Sequence, residues 1–426
     1  MSSKSSLRRE GGRRAVKLTY VANARLPSEK AHTYQILKTC EAFARNGARV
    51  ELIVPFRFRG GGRSKKVEDY WRYYGVGRTF SIVKLPSLDL IWLDRYTTRL
   101  SSLRFLIQAS SFAVFAAIHA LFEEAEALYT RERLFAFIFG SLKPLHRKKV
   151  YYEAHTFNRL VSKLVREGRI DGMIAVTNRL KEFYVKDGVP EEKVLVAPDA
   201  VDLGMFDVPY LKEEARRKLC LPVEGRIIGY VGQLHTMDME KGIRELLEAF
   251  RRLKAWNKNL FLCFVGGLKK EIQEYEGLVR QEGLERDVMF VGQRPPYEIP
   301  LYLRAFDVCV MPFPWTRHYA YFMSPLKLFE YMAARRPIVA SDLPSVREIL
   351  NERNAVLVKP GEPEALAEGI ERALKDEELA NRIAGKAYED VQEHSWERRA
   401  ARILNFIRGG RSLKTRCVEL REATFS

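Results

Sequence analysis

Apolar and polar positions along the chain fall into two series of short apolar runs, separated by longer stretches of helical period. Residues 16–22 (VKLTYVA) form a β-branched and aromatic run that reads as a buried strand. After a polar turn, Tyr34, Leu37, Cys40 and Ala44 recur at three- and four-residue spacing, and Gly47 supplies a helix stop. Residues 49–55 are the next strand, and similar runs recur at 80–83, 127–130, 149–153, 172–176 and 194–197. A segment with Asp199, Asp202, Pro209, Pro222 and Gly225 then breaks the pattern, with room for one short helix. A second series opens at 226–232 and continues at 260–265, 288–292, 308–311, 337–340 and 355–358. Helices are predicted to begin near Lys241, Lys270, Pro296, Ser324, Pro344 and Pro363. Apolar strands alternating with helices predict parallel sheets covered on both faces. The fold class is α/β, with two Rossmann-like doubly wound domains facing a central cleft at the carboxyl ends of their strands.

The predicted boundaries are a flexible basic N-terminus at 1–14, an acceptor-side domain at 15–200, and a nucleotide-sugar-binding domain at 201–395. A C-terminal helix and tail at 396–426 is expected to cross back to the first domain. A length of 426 residues suits two such domains, and 46% hydrophobic with 30% charged residues excludes wholesale disorder. Five widely spaced cysteines argue against a zinc ribbon or disulfide scaffold and fit a reducing, cytoplasmic compartment. Residues 1–14 have no apolar run behind them and do not read as a secretory signal.

Charge is one-sided. Residues 1–150 hold 28 Lys+Arg against 12 Asp+Glu, or +16, while the remainder holds 44 against 42, or +2. A basic first third attracts polyanions. No zinc finger or RNP-type aromatic strand is visible, so nucleic acid is disfavoured. An anionic membrane surface, reached peripherally from the cytoplasmic side, or a phosphorylated substrate is favoured. Residues 105–122 contain no Asp, Glu, Lys or Arg, but they include Gln108, Ser110, Ser111 and His119. This stretch is barely long enough to span a bilayer and reads as a core or interfacial helix instead.

Several kinds of chemistry are absent from the sequence: a dinucleotide glycine fingerprint after either first strand, a Walker loop, a nucleophile elbow, and histidines at metal-ligand spacing. Gly266-Gly267 reads as a turn, and Asp238-Met239-Glu240 reads as loop. What remains lies at strand and helix ends. His155 closes a strand, where a side chain that titrates near neutrality faces a cleft. Lys241 falls at a helix N-terminus and is unfavourable there unless an anion binds. Ser324 reads as a helix cap with Pro325 at the first helical position. Glu330 follows two turns later among Phe329, Tyr331 and Met332, where a carboxylate needs partners such as sugar hydroxyls.

The residues Gly232-Gln233-Leu234 with Lys241-Gly242, Glu330 through Ala340, 27–32 with 42–47, 152–155 and 198–202 together resemble the retaining glycosyltransferases of family four, which have the GT-B fold. The resemblance covers roughly residues 15–410. It implies transfer of a sugar from a UDP- or GDP-linked donor to a glycan or lipid-linked acceptor, with retention of configuration and neither a cofactor nor a required metal. It implies catalytic roles for His155 and Lys241. Donor contacts fall on Gly232, Gln233, Met323, Ser324, Pro325, Leu326, Lys327 and Glu330, and acceptor contacts on Ser28, Lys30 and His32. Three features depart from the family pattern. Gln233 replaces an Arg of the diphosphate grip, Phe322 replaces a Glu eight residues before Glu330, and Ser28-Glu29 replaces a glycine pair. Lys327 is positioned to replace the lost cation. A sugar-nucleotide epimerase and a non-catalytic sugar-nucleotide-binding subunit are the alternatives.

Overall fold

The computed structural model describes residues 15–28, 31–56, 69–90, 100–236 and 239–409. The segment 1–14 and Lys30 therefore lie outside the described residues. The first sheet comprises β1 (Lys17–Val21), β2 (Arg49–Pro55), β3 (Ser81–Leu85), β4 (Ala127–Thr130), β5 (Lys149–Ala154), β6 (Gly172–Ala175) and β7 (Val194–Val196). Its order is β3-β2-β1-β4-β5-β6-β7, and every pairing is parallel. The second domain contributes β8 (Arg226–Val231), β9 (His235–Thr236), β10 (Met239–Glu240), β11 (Leu260–Val265), β12 (Val288–Gly292), β13 (Val308–Met311), β14 (Ile338–Ser341) and β15 (Val356–Val358). Its main sheet runs β12-β11-β8-β13-β14-β15, again all parallel.

The inner strands are apolar on both faces because helices cover both. In β1, Leu18 and Tyr20 enter one core cluster while Val21 enters the other. In β8, Ile228 and Tyr230 face one layer and Ile227 and Val231 the opposite one. The strand order reverses direction between β1 and β4 and again between β8 and β13, which opens a crevice at each sheet's carboxyl edge. The two crevices face each other.

Met239–Glu240 is not loop: it pairs antiparallel with His235–Thr236 in a two-stranded ribbon. Two-residue strands are too short for alternation to reveal. Helix Ser101–Phe122 is also not a simple core helix. Phe112, Ala113, Ala116, Ala117 and Ala120 are buried, but Leu106, Val114, Ile118 and Phe122 are exposed.

Residues 396–407 return to the first domain, and the tail from 410 lies outside the described residues. Helix Trp396–Ile407 packs Trp396, Ala400, Ile403, Leu404 and Ile407 into the cluster that holds Tyr34, Leu37 and Phe43 of helix Ala31–Arg45. The two crossings between domains are bonded to each other: Val201 N donates to His394 O at 3.0 Å, and Trp396 N to Val201 O at 3.3 Å. Across the cleft's rim, Thr177 Oγ1 donates to Tyr321 O at 2.7 Å. The Glu348 carboxylate accepts from Asn178 N at 2.7 Å and Arg179 N at 3.0 Å, satisfying free amides of the opposite domain's helix.

Candidate active site between the two sheets

A cavity of about 400 Å³ opens where the two crevices meet. His155 after β5, Gly232 and Gln233 after β8, and Lys241 line it, as do Met323, Ser324, Pro325, Leu326, Lys327 and Glu330. Ser28 and His32 line it from the first domain. The structure therefore brings together every described residue singled out from the sequence.

The second-domain wall is built around unpaired positive charge. Gly232 turns at φ +126°, a conformation that glycine adopts without strain. A Cβ there would sit 3.1 Å from the Lys327 Nζ, so the glycine leaves room for that side chain. Lys327 is 7% exposed, and its Nζ has no hydrogen-bond partner. The ammonium lies 3.6 Å from the Tyr230 ring centroid and 5.4 Å from that of Phe313. Burial, reinforced by the neighbouring Lys241, holds its pKa well below the usual lysine value. Lys241 is lowered to about 8 by burial, with Glu271 opposing. Glu330 is raised to about 7 by burial, with Lys327 opposing. Two lysines whose charge is poorly solvated thus share one wall, and an anion bound there would favour the protonated form of both.

Helix Leu326–Ala333 starts one residue later than its sequence suggests, with Pro325 as the preceding extended residue. Ser324 does not cap it. Its Oγ accepts from Asp199 N at 2.8 Å instead, tying the helix entrance to the segment between the domains. Lys241 likewise stands before the helix: Gly242, at φ +80°, is the cap and Ile243 the first helical residue. Phe322 packs edge-on against Phe183 of the first domain at 5.3 Å, where the family pattern has a carboxylate.

The first-domain wall is a buried polar network under His155. The fully buried Glu153 accepts from Gln35 Nε2 at 2.9 Å and from the Tyr129 hydroxyl, and pairs with Arg399 at 3.2 Å. His155 Nε2 lies 2.8 Å from Glu153 Oε1. Gln35 also donates to Asp199 at 2.6 Å and accepts from Arg131 at 2.6 Å. Burial alone would raise Glu153, but Arg399, His155 and Arg131 hold it well below the ordinary carboxylate range. Burial, then Arg131, lowers His155 to about 4, overriding its carboxylate partner. The imidazole is therefore neutral near pH 7. An ionised carboxylate only accepts, so Nε2 carries the proton and Nδ1 is left as an acceptor. Asp199 is raised to about 7, chiefly by burial, with Arg399 opposing.

Sequence reasoning missed Gln35, Arg131, Asp199 and Arg399. A signal existed for two of them: Glu153 in an apolar strand demands a cation, and Arg131 directly follows β4. His318, also in the cavity wall, is lowered by burial and by Lys241. Among the described residues, one grouping of metal-ligating type occurs, Glu51, His119 and Glu123, and none of the three lines this cavity.

The fold and this cleft define the class: two facing parallel-sheet domains of the GT-B architecture. Residues 212–390 match the family described as Glycosyl transferases group 1. The putative teichuronic acid biosynthesis glycosyltransferase TuaC of Bacillus subtilis is 30% identical over 226 residues, 53% of this chain and 52% of its own. The D-inositol 3-phosphate glycosyltransferase of Corynebacterium aurimucosum is 26% identical over 245 residues, 56% of each chain. The chain thus spans about half the length of the curated relatives it matches. Among solved structures, Anabaena HepE in complex with UDP and glucose aligns with TM-score 0.66 at 17% identity, covering 92% of this chain and 99% of its own. Sucrose-phosphate synthase from Thermosynechococcus elongatus aligns with TM-score 0.71 at 19% identity, covering 92% and 98%.

Proposed function

We propose that this protein is a group 1 glycosyltransferase that moves a hexose from a nucleotide-sugar donor to a glycan or lipid-linked acceptor with retention of configuration. The observation that carries this reading is the buried, unpartnered Lys327 ammonium beside Lys241. A diphosphate is the anion whose charge and size suit two convergent cations in a water-poor wall. Negative charge grows on that diphosphate as the bond from the sugar's anomeric carbon to its oxygen breaks. Ammonium groups already in place stabilise the charge without reorganisation, the type of effect that dominates many enzymes.

Glu330, beside Lys327, accepts from the ribose hydroxyls. The neutral His155, held by Glu153 and through it by Arg399, offers Nδ1 to a hydroxyl and fixes the sugar in attack geometry. Lys241 and Lys327 supply the positive charge that a divalent metal would bring, which supports a reaction without a metal cofactor. The acceptor enters from the basic first domain past Ser28 and His32. TuaC and the D-inositol 3-phosphate glycosyltransferases carry names that point to acidic or phosphorylated acceptors, in keeping with that charge.

The test is thermal stabilisation by UDP, GDP and ADP and their sugars, with wild type and Glu330→Ala. One nucleotide should stabilise the wild type strongly and the variant much less. No stabilisation by any nucleotide would overturn the reading.

A further inference from the structure

The exposed side of helix Ser101–Phe122 belongs to no described contact, and its chemistry is specific. Leu103, Leu106, Ser110, Val114, Ile118 and Phe122 follow one another at three- and four-residue spacing, so they form one stripe. Phe122 is 85% exposed, and Leu103, Val114 and Ile118 are each 45–50% exposed. The opposite stripe is locked into the sheet by Phe112, Ala113, Ala116, Ala117 and Ala120. An 18-residue stretch of this 22-residue helix has mean hydropathy 1.8, so the helix has the length and composition to cross a bilayer, yet one face is committed to the protein core. It can enter lipid only lying flat.

Two other observations select the occupant. Residues 1–150, which include this helix, have net charge +16. A second copy docked face to face would bring two such basic regions together, and repulsion opposes that. An anionic lipid surface is complementary in both charge and apolarity. The helix also points in a useful direction. Gln108 exchanges side-chain hydrogen bonds of 3.2 and 3.1 Å with Asn23, just past the carboxyl end of β1. At the other end, Glu124 pairs with Lys17, the first residue of β1. The N-terminal half of the stripe therefore lies on the cleft side of the sheet. Leu88, 61% exposed and bonded to Ser111 Oγ through its backbone N–H, extends the apolar surface there.

We infer that the protein docks on anionic membranes through this stripe, with helix Ser101–Phe122 in the plane of the interface and the cleft's first-domain rim at the lipid surface. The inference goes beyond the donor-site reading and does not depend on it.

The experiment is co-sedimentation of the full chain with vesicles of phosphatidylcholine alone or with roughly a third phosphatidylglycerol, at low and high salt. The wild type should bind the anionic vesicles, and less at high salt as charge is screened. Leu106→Glu and Ile118→Glu should each weaken binding about tenfold, because an exposed apolar contact with lipid is replaced by a charge repelled from it. Nucleotide stabilisation, measured without vesicles, should be unchanged in both variants, which separates this proposal from the donor-site reading. Absence of wild-type binding would overturn the inference. So would a dimer in sedimentation velocity that Ile118→Glu dissociates.

Discussion

Replacing Lys327 by methionine removes the charge while keeping the side chain's length. It should move ligand-free stability and ligand affinity in opposite directions. In the free protein the buried, unbonded ammonium costs at least about 2–3 kcal/mol, the upper part of the range for an unsatisfied group because it is charged, and its position 3.6 Å from the Tyr230 centroid returns some of that, about 0.5–2 kcal/mol. The variant should therefore be as stable as the wild type, or more stable by up to about 2 kcal/mol. The pH dependence has a definite sign. Because the folded-state pKa lies below the unfolded value, the unfolded chain holds more protons between the two. Wild-type stability gains on the variant as pH rises through that window.

With ligand the balance reverses. Unit charges ~4 Å apart at an effective dielectric of ~20 attract by about 4 kcal/mol, and removing one partner of a desolvated pair costs about 2–5 kcal/mol. Taking about 2 kcal/mol as the floor, Kd rises about 30-fold. At a ligand concentration one hundred times the wild-type Kd, ligand-induced stabilisation falls from about 2.7 to about 0.9 kcal/mol. The assay is calorimetric titration with the nucleoside diphosphate that stabilises the wild type and with its parent nucleoside, alongside thermal unfolding. A diphosphate affinity within about threefold of wild type would refute the argument. So would an equal loss of nucleoside binding, which would mean the variant damages the site generally.

Donor affinity should fall on both sides of neutrality. Binding of phosphate favours protonated Lys241, whose free-state pKa is about 8, so affinity drops as pH rises above that value. Ribose hydroxyls favour ionised Glu330, whose free-state value is about 7, so affinity also drops as pH falls below it; titrations from pH 5.5 to 9.5 check both flanks. Arg399→Ala strips the largest cation from buried Glu153 and should destabilise the protein by about 3–5 kcal/mol in urea unfolding; a loss under about 1 kcal/mol would show that Arg131 and His155 suffice. Gly242→Ala should abolish donor-induced stabilisation and lower the melting temperature, since its Cβ would lie 1.7 Å from Pro312 O at a φ of +80°; an unaltered melting curve would contradict it.

The sheets were legible in the sequence because parallel strands are buried on both faces and read as unbroken apolar runs, as in residues 260–265. The donor wall was legible because its residues stand close in sequence, at 232–241 and 323–330. The opposing wall was not. Arg399 bonds to Pro198 and Thr39, 201 and 360 residues away, and no local pattern announces a partner so distant. Ser324 misled for a related reason: its hydroxyl had the right type for a cap, but a backbone amide from the interdomain segment took it. The charge of Lys327 could be read, whereas its isolation could not, because isolation is a property of what surrounds it. The apolarity of residues 105–122 was plain, but which face the sheet would cover depended on where β1, β2 and β4 lay.

The returning helix Trp396–Ile407 also governs the order in which the molecule can assemble. Five of its side chains complete the core beneath helix Ala31–Arg45, and the Tyr151 hydroxyl donates to Ile407 O at 3.1 Å. The second domain draws its two cores from residues 201–391 alone. On a ribosome, the half made first must wait, with an open apolar trough, until residue 407 has emerged, whereas the half made second can close before it. Maturation therefore runs backwards along the chain. Any loss of the final helix would be felt as failed assembly of the opening half, the one farthest away in sequence.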